Sequence, residues 1–475
     1  MEGSYGHRCH ASPHLLEQGG ATDFRNWYRD GRDDVMVGVM KRIMAILALA
    51  CSMIPVAVHA QESLPQMTIS SAPRAQPIAV SALKDLGGDA GHEVSATFGK
   101  VLTRDLTLSS FFRIIDPSSY IEDAQNSGFD IGQFNFSDWT SLGADYLVKG
   151  SVTRDGDKIA IEALLFDVPQ QRRMMGKKFT GDPHDVGEMA RRFADAILLA
   201  ATGKRGPFDS KLAFVSTRGD RFKEIYTSWL DGGTLFRVTD NPTINLFPNF
   251  NHSGSHLIYL SYKSYSPELY VVDLERQLET RINPGLGQAV GGALTPDGQI
   301  IGAFQRGGRT NLYLLTPSGA VTHQLTDSGP INVSPSVCPD GGEFVFTSDR
   351  SGTPQIYTES LDGGEAHRVT YKGSYNTAPS FSPDCKHIAY ESREPGGFQI
   401  YVIGVDGSGA EQLTQSGSNE APSWSPDGRY IAFSSNRGGG TRIYLMRARD
   451  GYVIAPLTEG QGNDSNPAWS WWMGG

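Results

Sequence analysis

The chain has 475 residues, of which 39% are hydrophobic and 20% are charged, enough for two or three soluble domains. Its net charge of −10, with no basic tract, argues against a nucleic-acid partner, because such proteins use lysine and arginine to neutralise phosphates. The 55 glycines indicate numerous tight turns.

A targeting signal is predicted at residues 40–60. This segment reads MKRIMAILALACSMIPVAVHA, in which Lys41 and Arg42 precede an apolar run and small residues precede the end. The pattern is typical of a secretory signal peptide, with cleavage expected between Ala60 and Gln61. We therefore expect an exported protein.

Two alternatives to a cleaved signal peptide are weaker. A membrane anchor needs about 20 apolar residues, and Pro55 interrupts the run before that length is reached. Lipid attachment at Cys51 is disfavoured because Ala48 stands where such sites carry leucine. Residues 1–39 show no hydrophobic pattern, and we interpret them as an upstream extension from a mis-assigned start. The mature chain is not expected to span a membrane.

An α+β domain is predicted at residues 77–205, after a proline-broken, flexible arm at residues 61–76. Helical periodicity predicts helices at residues 92–111 and 185–201. Strands are expected at residues 77–80, 111–117, 145–168 and 174–181, the third being a hairpin that turns at Asp155-Gly156. The prediction is two helices on a mixed sheet. No catalytic or nucleotide-binding motif occurs in this part of the sequence.

The carboxy-terminal half repeats one phrase six times. The clearest copy is APSWSPDGRYIAFSSNRGGGTRIYLMRARDGYVIAPLT, at residues 421–458. One tyrosine recurs at spacings of 43 or 44 residues, as Tyr226, Tyr270, Tyr313, Tyr357, Tyr401 and Tyr444. A period in the low forties, with four short apolar runs per copy, is typical of a β-propeller blade. Residues 208–475 are therefore predicted to form an all-β, six-bladed propeller.

Each blade is expected to contain four antiparallel strands, A to D. The A–B turns carry an aspartate, such as Asp427, which we interpret as turn chemistry and not as a catalytic carboxylate. The repeats begin at residues 211–218 with a B-type strand and finish at residues 467–471 with an A-type strand. We therefore expect the C-terminal strand to pair with the first strands of the ring and close it.

Signal removal would leave two cysteines, Cys338 and Cys385, in the A–B turns of neighbouring blades. In an exported protein they could form a disulfide. Because equivalent turns on adjacent blades usually lie beyond the ~7 Å Cα limit for a bridge, we expect two unpaired thiols. No metal site is expected at either cysteine, since neither a histidine nor a second cysteine stands at ligand spacing.

The six D–A connections should converge at one mouth of the channel. Most of their residues are small and polar, but a few are large and apolar, a mixture that suits a protein partner. The alternative is that these loops are solvated connectors. The candidate partner-binding residues are Ile244, Asn245, Phe247, Val290, Ile331, Val333, Tyr375, Asn376, Asn419 and Glu420.

The repeat phrase P-S-[FW]-S-P-D-G-x-x-I-A-[FY] resembles the propeller repeat of the TolB family, although peptidases and lyases also contain it. The domain before the propeller makes the resemblance more specific to this family. Its relevant segments are, in order, IAVSAL, LTRDLTLSSFFRIIDP, GADYLVKGSV and FADAILLAATGKRGPFDSKLAFVS. That succession is similar to the amino-terminal domain and linker of the TolB family. The resemblance extends over residues 77–475.

This resemblance implies a non-catalytic scaffold in the periplasm, without a cofactor. In the family, the propeller binds the peptidoglycan-associated lipoprotein Pal at the channel mouth, and the N-terminal region contacts TolA. Outer-membrane lipoproteins are further candidate partners. The implied role is to support outer-membrane invagination during cell division and the integrity of the envelope.

The competing hypothesis is a propeller enzyme of the lactonase or hydrolase type with a divalent metal in the channel. A serine hydrolase would need a G-x-S-x-G nucleophile elbow, and this motif does not occur in the sequence. A channel metal would need inward-pointing carboxylates or asparagines, which the sequence alone does not place. The sequence leaves open whether a calcium ion lies in the channel as a structural ligand.

Overall fold

The computed structural model describes residues 75–87, 91–219 and 221–473, apart from the side chain of Asp155. The predicted extension at residues 1–39, the signal peptide with its Ala60–Gln61 cleavage site, and residues 61–74 of the arm lie outside the described residues. None of the described helices is both long enough and apolar enough to cross a membrane.

The amino-terminal domain is a six-stranded mixed sheet with two long helices. Its elements are β1 Gln76–Val80, β2 Lys84–Asp85, α1 Gly91–Leu108, β3 Phe112–Ile114, α2 Phe136–Ser141, β4 Tyr146–Asp155, β5 Lys158–Asp167, β6 Arg172–Gly181 and α3 Val186–Thr202. The sheet order is β3-β1-β4-β5-β6, and β2 pairs with β4. Strand β1 is parallel to β3 and β4, whereas β4, β5 and β6 are antiparallel. The predicted arrangement of helices on a mixed sheet is confirmed.

The two long helices pack together on one face of this sheet. Phe98 of α1 and Phe193 of α3 are both fully buried, with ring centroids 6.1 Å apart. Helix α3 ends because Gly203 takes a left-handed conformation, with φ of 76°, and donates its N–H to the carbonyl of Leu199. Burial of the apolar faces at a helical period therefore accounts for both predicted helices.

The opposite face of the sheet is covered by residues 117–142, for which no element was predicted. Helix α2 lies in this segment and places Trp139 in a second apolar cluster, where it is almost completely buried. Lys149 of β4 forms a buried ion pair with Glu122 of the same segment. The short helix escaped prediction because six residues are too few to show a helical period.

The carboxy-terminal part is a propeller of six four-stranded sheets. Blade 1 contains β7 Ser210–Ser216, β8 Glu224–Trp229, β9 Phe236–Arg237 and, from the end of the chain, β30 Asp464–Trp472; blade 2 contains β10 Asn245–Phe250, β11 His256–Ser261, β12 Glu268–Asp273 and β13 Leu278–Ile282; blade 3 contains β14 Gln288–Leu294, β15 Ile300–Arg306, β16 Arg309–Leu315 and β17 Val321–Gln324; blade 4 contains β18 Asn332–Val337, β19 Glu343–Ser348, β20 Gln355–Ser360 and β21 His367–Arg368; blade 5 contains β22 Asn376–Phe381, β23 His387–Glu394, β24 Gly397–Gly404 and β25 Glu411–Gln412; blade 6 contains β26 Asn419–Trp424, β27 Tyr430–Ser435, β28 Arg442–Arg447 and β29 Val453–Pro456.

Strand β30 supplies strand A of blade 1 by pairing antiparallel with β7. The amide of Lys211 donates to the hydroxyl of Ser470 at 2.8 Å, and the indole N–H of Trp469 donates to the hydroxyl of Ser210 at 2.7 Å. The first and last strands of the propeller therefore share one sheet, in which β30 covers the edge of β7 that would otherwise be unpaired.

The prediction of unpaired thiols is wrong. Cys338 and Cys385 form a disulfide whose Cα atoms are 5.5 Å apart. The A–B turns lie close to the ring axis, where neighbouring blades converge: a Cβ atom on Gly341 would lie 3.9 Å from Pro296 of the preceding blade. The period of the repeat specifies the order of the turns along the chain but not their distance from the axis.

Candidate partner-binding site at the channel mouth

The D–A connections and the B–C loops lie at one end of the propeller, the channel mouth. The A–B turns lie at the other end, where residues of several blades, including Ser336, Ser380 and Trp471, line a cavity of about 110 Å³. Because each A strand begins at the mouth, the residues around its first position decide what this surface presents.

The first residue of strand A is a fully buried amide or acid in five blades. These residues are Asn245, Asn332, Asn376, Asn419 and Asp464. The Asn376 amide, for example, donates to Oε1 of Gln355 at 2.9 Å and to the carbonyl of Lys372 at 2.8 Å. The amides of Asn245, Asn332 and Asn419 likewise donate to groups of the preceding blade, so the four asparagines tie their D–A loops to it.

This burial changes what three predicted site residues can do. The side chains of Asn245, Asn376 and Asn419 are enclosed, so they hold the loops in place and cannot themselves touch a partner. Val333 is also buried, with 5% of its surface exposed. The sequence pattern placed all four at the mouth but could not distinguish a loop anchor from a contact surface.

Arginines reinforce the same anchors in three blades. Nη2 of Arg437 donates to Oδ1 of Asn419 at 2.8 Å, and its guanidinium lies over the rings of Phe433 and Tyr444. Arg218 and Arg350 make the equivalent contacts in blades 1 and 4. The base of the mouth is therefore a network of charge-assisted hydrogen bonds, which keeps the loops above it in one conformation.

The residue just before the first residue of strand A differs in size between the blades, which makes the channel mouth asymmetric. It is large and apolar in blades 2, 4 and 5, as Ile244, Ile331 and Tyr375, whereas the other blades have Gly287, Ser418 and Asn463. All three large side chains are half-buried. They form an apolar arc on one part of the rim, at predicted site positions.

Tyr375 is supported from the side by Phe398, whose ring centroid lies 5.8 Å away. Burial, and then the charge of Glu391, raise the pKa of Tyr375 to about 12, so its hydroxyl is neutral at physiological pH. The half-buried side chain therefore adds an aromatic group to the arc.

Phe247 occupies an unfavourable backbone conformation. A β-bulge interrupts strand A of every blade, and the bulge residue of blade 2 is Phe247, with φ of 54°. The equivalent residues with positive φ are Ser334, Ala378, Ala421 and Asn466, all smaller than phenylalanine. A bulky side chain in the left-handed region costs about 1–2 kcal/mol, and such strain is concentrated at functional sites. Phe247 is half-buried and extends the apolar arc.

Val290 takes the bulge position of blade 3 and is also half-buried. It follows Phe247 around the ring, and the Phe247 ring reaches toward the neighbouring Gly291, where a Cβ atom would lie 4.0 Å from Cδ2. The predicted residues Ile244, Phe247 and Val290 therefore belong to adjacent blades of one surface.

Next to the blade 5 end of this arc, blades 5 and 6 contribute two glutamates. The predicted residue Glu420 accepts a hydrogen bond from the Ser418 hydroxyl at 2.9 Å. Glu391, which was not predicted, accepts one from the amide of Ala421 at 2.7 Å. Burial, and then the charge of Glu420, raise the pKa of Glu391. The sequence did contain a signal for Glu391: it is an acid within a buried strand, at the position where the equivalent strand of blade 4 has Thr347.

Two groups of three potential metal ligands occur within the described ranges. One group is Cys338, Asp340 and Cys385, in which the two cysteines are joined by the disulfide. The other group is Asp182, His184 and Asp185, which precede α3. Neither group lies at the channel mouth. Structural calcium in the channel stays an open alternative to the prediction that the protein has no cofactor.

The anchoring role of Asn376 can be tested by Asn376→Ala. We expect a loss of about 1–3 kcal/mol in the free energy of unfolding, because the Lys372 carbonyl would lose this donor and Oε1 of Gln355 would keep only the Thr370 hydroxyl. Urea denaturation measures this, with Ser374→Ala, an exposed residue of the same loop, as control. Equal stability of the two variants would contradict the assignment.

Comparison with known families identifies the chain. The sequence model of the TolB beta propeller domain matches residues 199–473, more than half of the chain. The chain belongs to the TolB family. The model of the TolB amino-terminal domain matches residues 69–174. Both parts of this TolB family member therefore correspond to domains defined for the family.

Curated relatives carry the same name. The Tol-Pal system protein TolB of Desulfosudis oleivorans is 36% identical over 254 residues, 53% of this chain and 58% of the relative. That of Geobacter metallireducens is 39% identical over 217 residues, 46% of this chain and 49% of the relative. The chain thus spans about half the length of the curated relatives it matches.

A solved structure covers more of the molecule. The crystal structure of TolB from Acinetobacter baumannii superimposes with a TM-score of 0.71 at 25% identity, covering 84% of this chain and 97% of that one. The likeness extends over the amino-terminal domain as well as the propeller, because the propeller alone is too short to account for this coverage.

Proposed function

We propose that this protein is a non-catalytic periplasmic component of a Tol–Pal system. Membership of the TolB family supports the proposal, as do the curated relatives named Tol-Pal system proteins. In this role the protein supports envelope integrity and outer-membrane invagination during division. It requires no cofactor.

The propeller binds the lipoprotein Pal at the channel mouth. The observation that carries this step is the half-buried apolar arc of Ile244, Phe247, Val290, Ile331 and Tyr375 on firmly anchored loops. Protein interfaces place a few large apolar or aromatic anchors within a polar rim, and rigid loops lower the entropy lost on binding. Glu420 supplies an acidic part of that rim.

The amino-terminal region contacts TolA, and the match to the TolB amino-terminal domain supports this assignment. The arm at residues 61–76, whose last residue Gln76 begins β1, is the proposed contact segment. A partner on the arm and another at the channel mouth would then occupy different parts of one chain.

The Pal-binding proposal predicts that Phe247→Asp and Tyr375→Asp each weaken capture of the purified soluble domain of Pal at least tenfold. Each removes an apolar anchor from the interface and adds a charge that must be desolvated. Calorimetric titration measures the effect. Aspartate tolerates positive φ better than phenylalanine, so the first variant should stay folded.

Tyr452→Asp is the matched control, because Tyr452 is an exposed aromatic residue in the C–D turn of blade 6, at the end opposite to the mouth. It should bind Pal like the parent chain. If both mouth variants also bind normally, another surface recognises Pal. Titration with calcium and an esterase assay on the same preparation test the enzyme hypothesis, which turnover would favour.

A further inference from the structure

The amino-terminal domain and the propeller meet in a closely packed junction. The Tyr430 hydroxyl of blade 6 donates to the carbonyl of Ser109 at 2.7 Å, just after α1. Nη2 of Arg429 donates to the hydroxyl of Thr202, at the end of α3, at 2.6 Å. One continuous apolar cluster runs from Leu106 of α1 to Trp469 of β30. The junction therefore excludes solvent from the groups within it.

Asp105 of α1 is completely buried at this junction, and no described protein group donates a hydrogen bond to either of its carboxyl oxygens. The neighbouring acids differ. Asp195 accepts from the amide of Phe208 at 2.8 Å, and Asp209 accepts from Arg192 at 3.3 Å. A buried carboxylate without donors is costly, because nothing replaces the water that it loses.

The charges around Asp105 do not favour its ionised form. The acids Asp231, from the propeller, and Asp195, from α3, oppose ionisation, whereas Arg191 and Arg104 favour it. Arg191 is already engaged across the junction: its Nη1 lies 2.9 Å from Oδ2 of Asp231. Its guanidinium also lies 3.8 Å from the ring centroid of Trp229. The negative charge of Asp231 therefore largely offsets the positive charge of Arg191, so Arg191 stabilises an ionised Asp105 less than an unpaired arginine would.

We propose that Asp105 is protonated while the two domains are docked and ionises when they separate, so that docking takes up a proton. The acid acts as a proton-linked latch between the amino-terminal domain and the propeller. This inference does not depend on the proposed function, since it concerns the junction and not the channel mouth.

The direction of the pH dependence follows. Burial is the main reason that the pKa of Asp105 lies well above its ordinary value. Below the ordinary pKa of about 3.9, Asp105 is protonated in both the docked and the undocked state, so the docking equilibrium does not depend on pH. Above it, the ratio of undocked to docked molecules rises about tenfold per pH unit, until the pH passes the raised pKa of the docked state. The junction is thus tightest in acid and loosens as the pH rises.

Hydrogen exchange on the full chain tests the latch. Amides in residues 203–212, which the undocked state would expose, are followed from pH 4 to pH 8 and normalised to intrinsic rates. In Asp105→Asn, which cannot ionise, these amides should exchange at least tenfold more slowly than in the parent chain at pH 8 and equally at pH 4. Strand β19, far from the junction, should not differ. Glu93→Gln, an exposed acid in the same helix, should match the parent at every pH.

Faster exchange in Asp105→Asn at pH 8 would overturn the proposal, because it would mean that the ionised carboxylate holds the domains together. Equal exchange at every pH, or a flat profile in the parent chain, would also overturn it. If the asparagine variant does not fold, Asp105→Leu takes its place with the same expectation. Failure of both neutral replacements to fold would show that the junction requires the charge.

Discussion

Deletion of residues 466–475 is expected to abolish the cooperative unfolding of the propeller. The deletion removes most of β30, so β7 loses its partner strand and blade 1 keeps three strands. It also removes Trp469, which is 8% exposed and belongs to the core shared by the two domains. Loss of this one side chain would cost about 3–5 kcal/mol, and loss of the strand would leave one edge of β7 unpaired as well.

Scanning calorimetry and near-ultraviolet circular dichroism measure this effect. The control is a chain shortened by residues 474–475 alone, which should melt like the full chain. Trp469→Ala should fall between the two, with a lower but still cooperative transition. An unchanged melting temperature after the ten-residue deletion would mean that the ring does not depend on β30.

Loss of the disulfide has the second-largest expected effect. Cys338 and Cys385 are separated by 47 residues, and closing a loop of that length stabilises a chain by about 4 kcal/mol in the loop-entropy estimate. Cys338 is also buried in the apolar cluster between blades 4 and 5. The bond thus holds two blades together close to the axis. We expect Cys338→Ala combined with Cys385→Ala to lose about 2–4 kcal/mol of unfolding free energy.

Urea unfolding with and without a thiol reductant tests this expectation. The reductant should lower the midpoint of the parent chain toward that of the double variant, and it should leave the double variant unchanged. A parent chain whose midpoint does not respond to the reductant, although its thiols are shown to be reduced, would contradict a stabilising role for the bond.

Local patterns predicted the elements well where they were long or repeated. The repeat spacing predicted six blades. The strand types at the two ends of the repeat region predicted that the last strand joins the first blade, and β30 does pair with β7 in blade 1. Helical periodicity predicted α1 and α3 within a few residues. These successes have one cause: side chains that alternate or recur on one face record the geometry of the element itself.

The candidate site was predicted only as a region. The sequence placed the D–A loops at one mouth, but the choice of Asn245, Asn376 and Asn419 as contacts did not allow for their complete burial. Glu391 was missed because its strand reads as core. Whether a polar residue anchors a loop or faces a partner depends on neighbours 20 or more residues away, such as Gln399 beneath Asn419.

The sequence by itself determined the architecture of this protein: its two folded parts, the number of blades and the strands that join the ends. Only the tertiary structure decided the distances across the ring and between the domains. It brought Cys338 within bonding distance of Cys385 and enclosed Asp105 without a hydrogen-bond donor from the residues that the structure describes. The physical reason is that periodicity is written into neighbouring residues, whereas proximity and loss of solvent arise when distant segments pack.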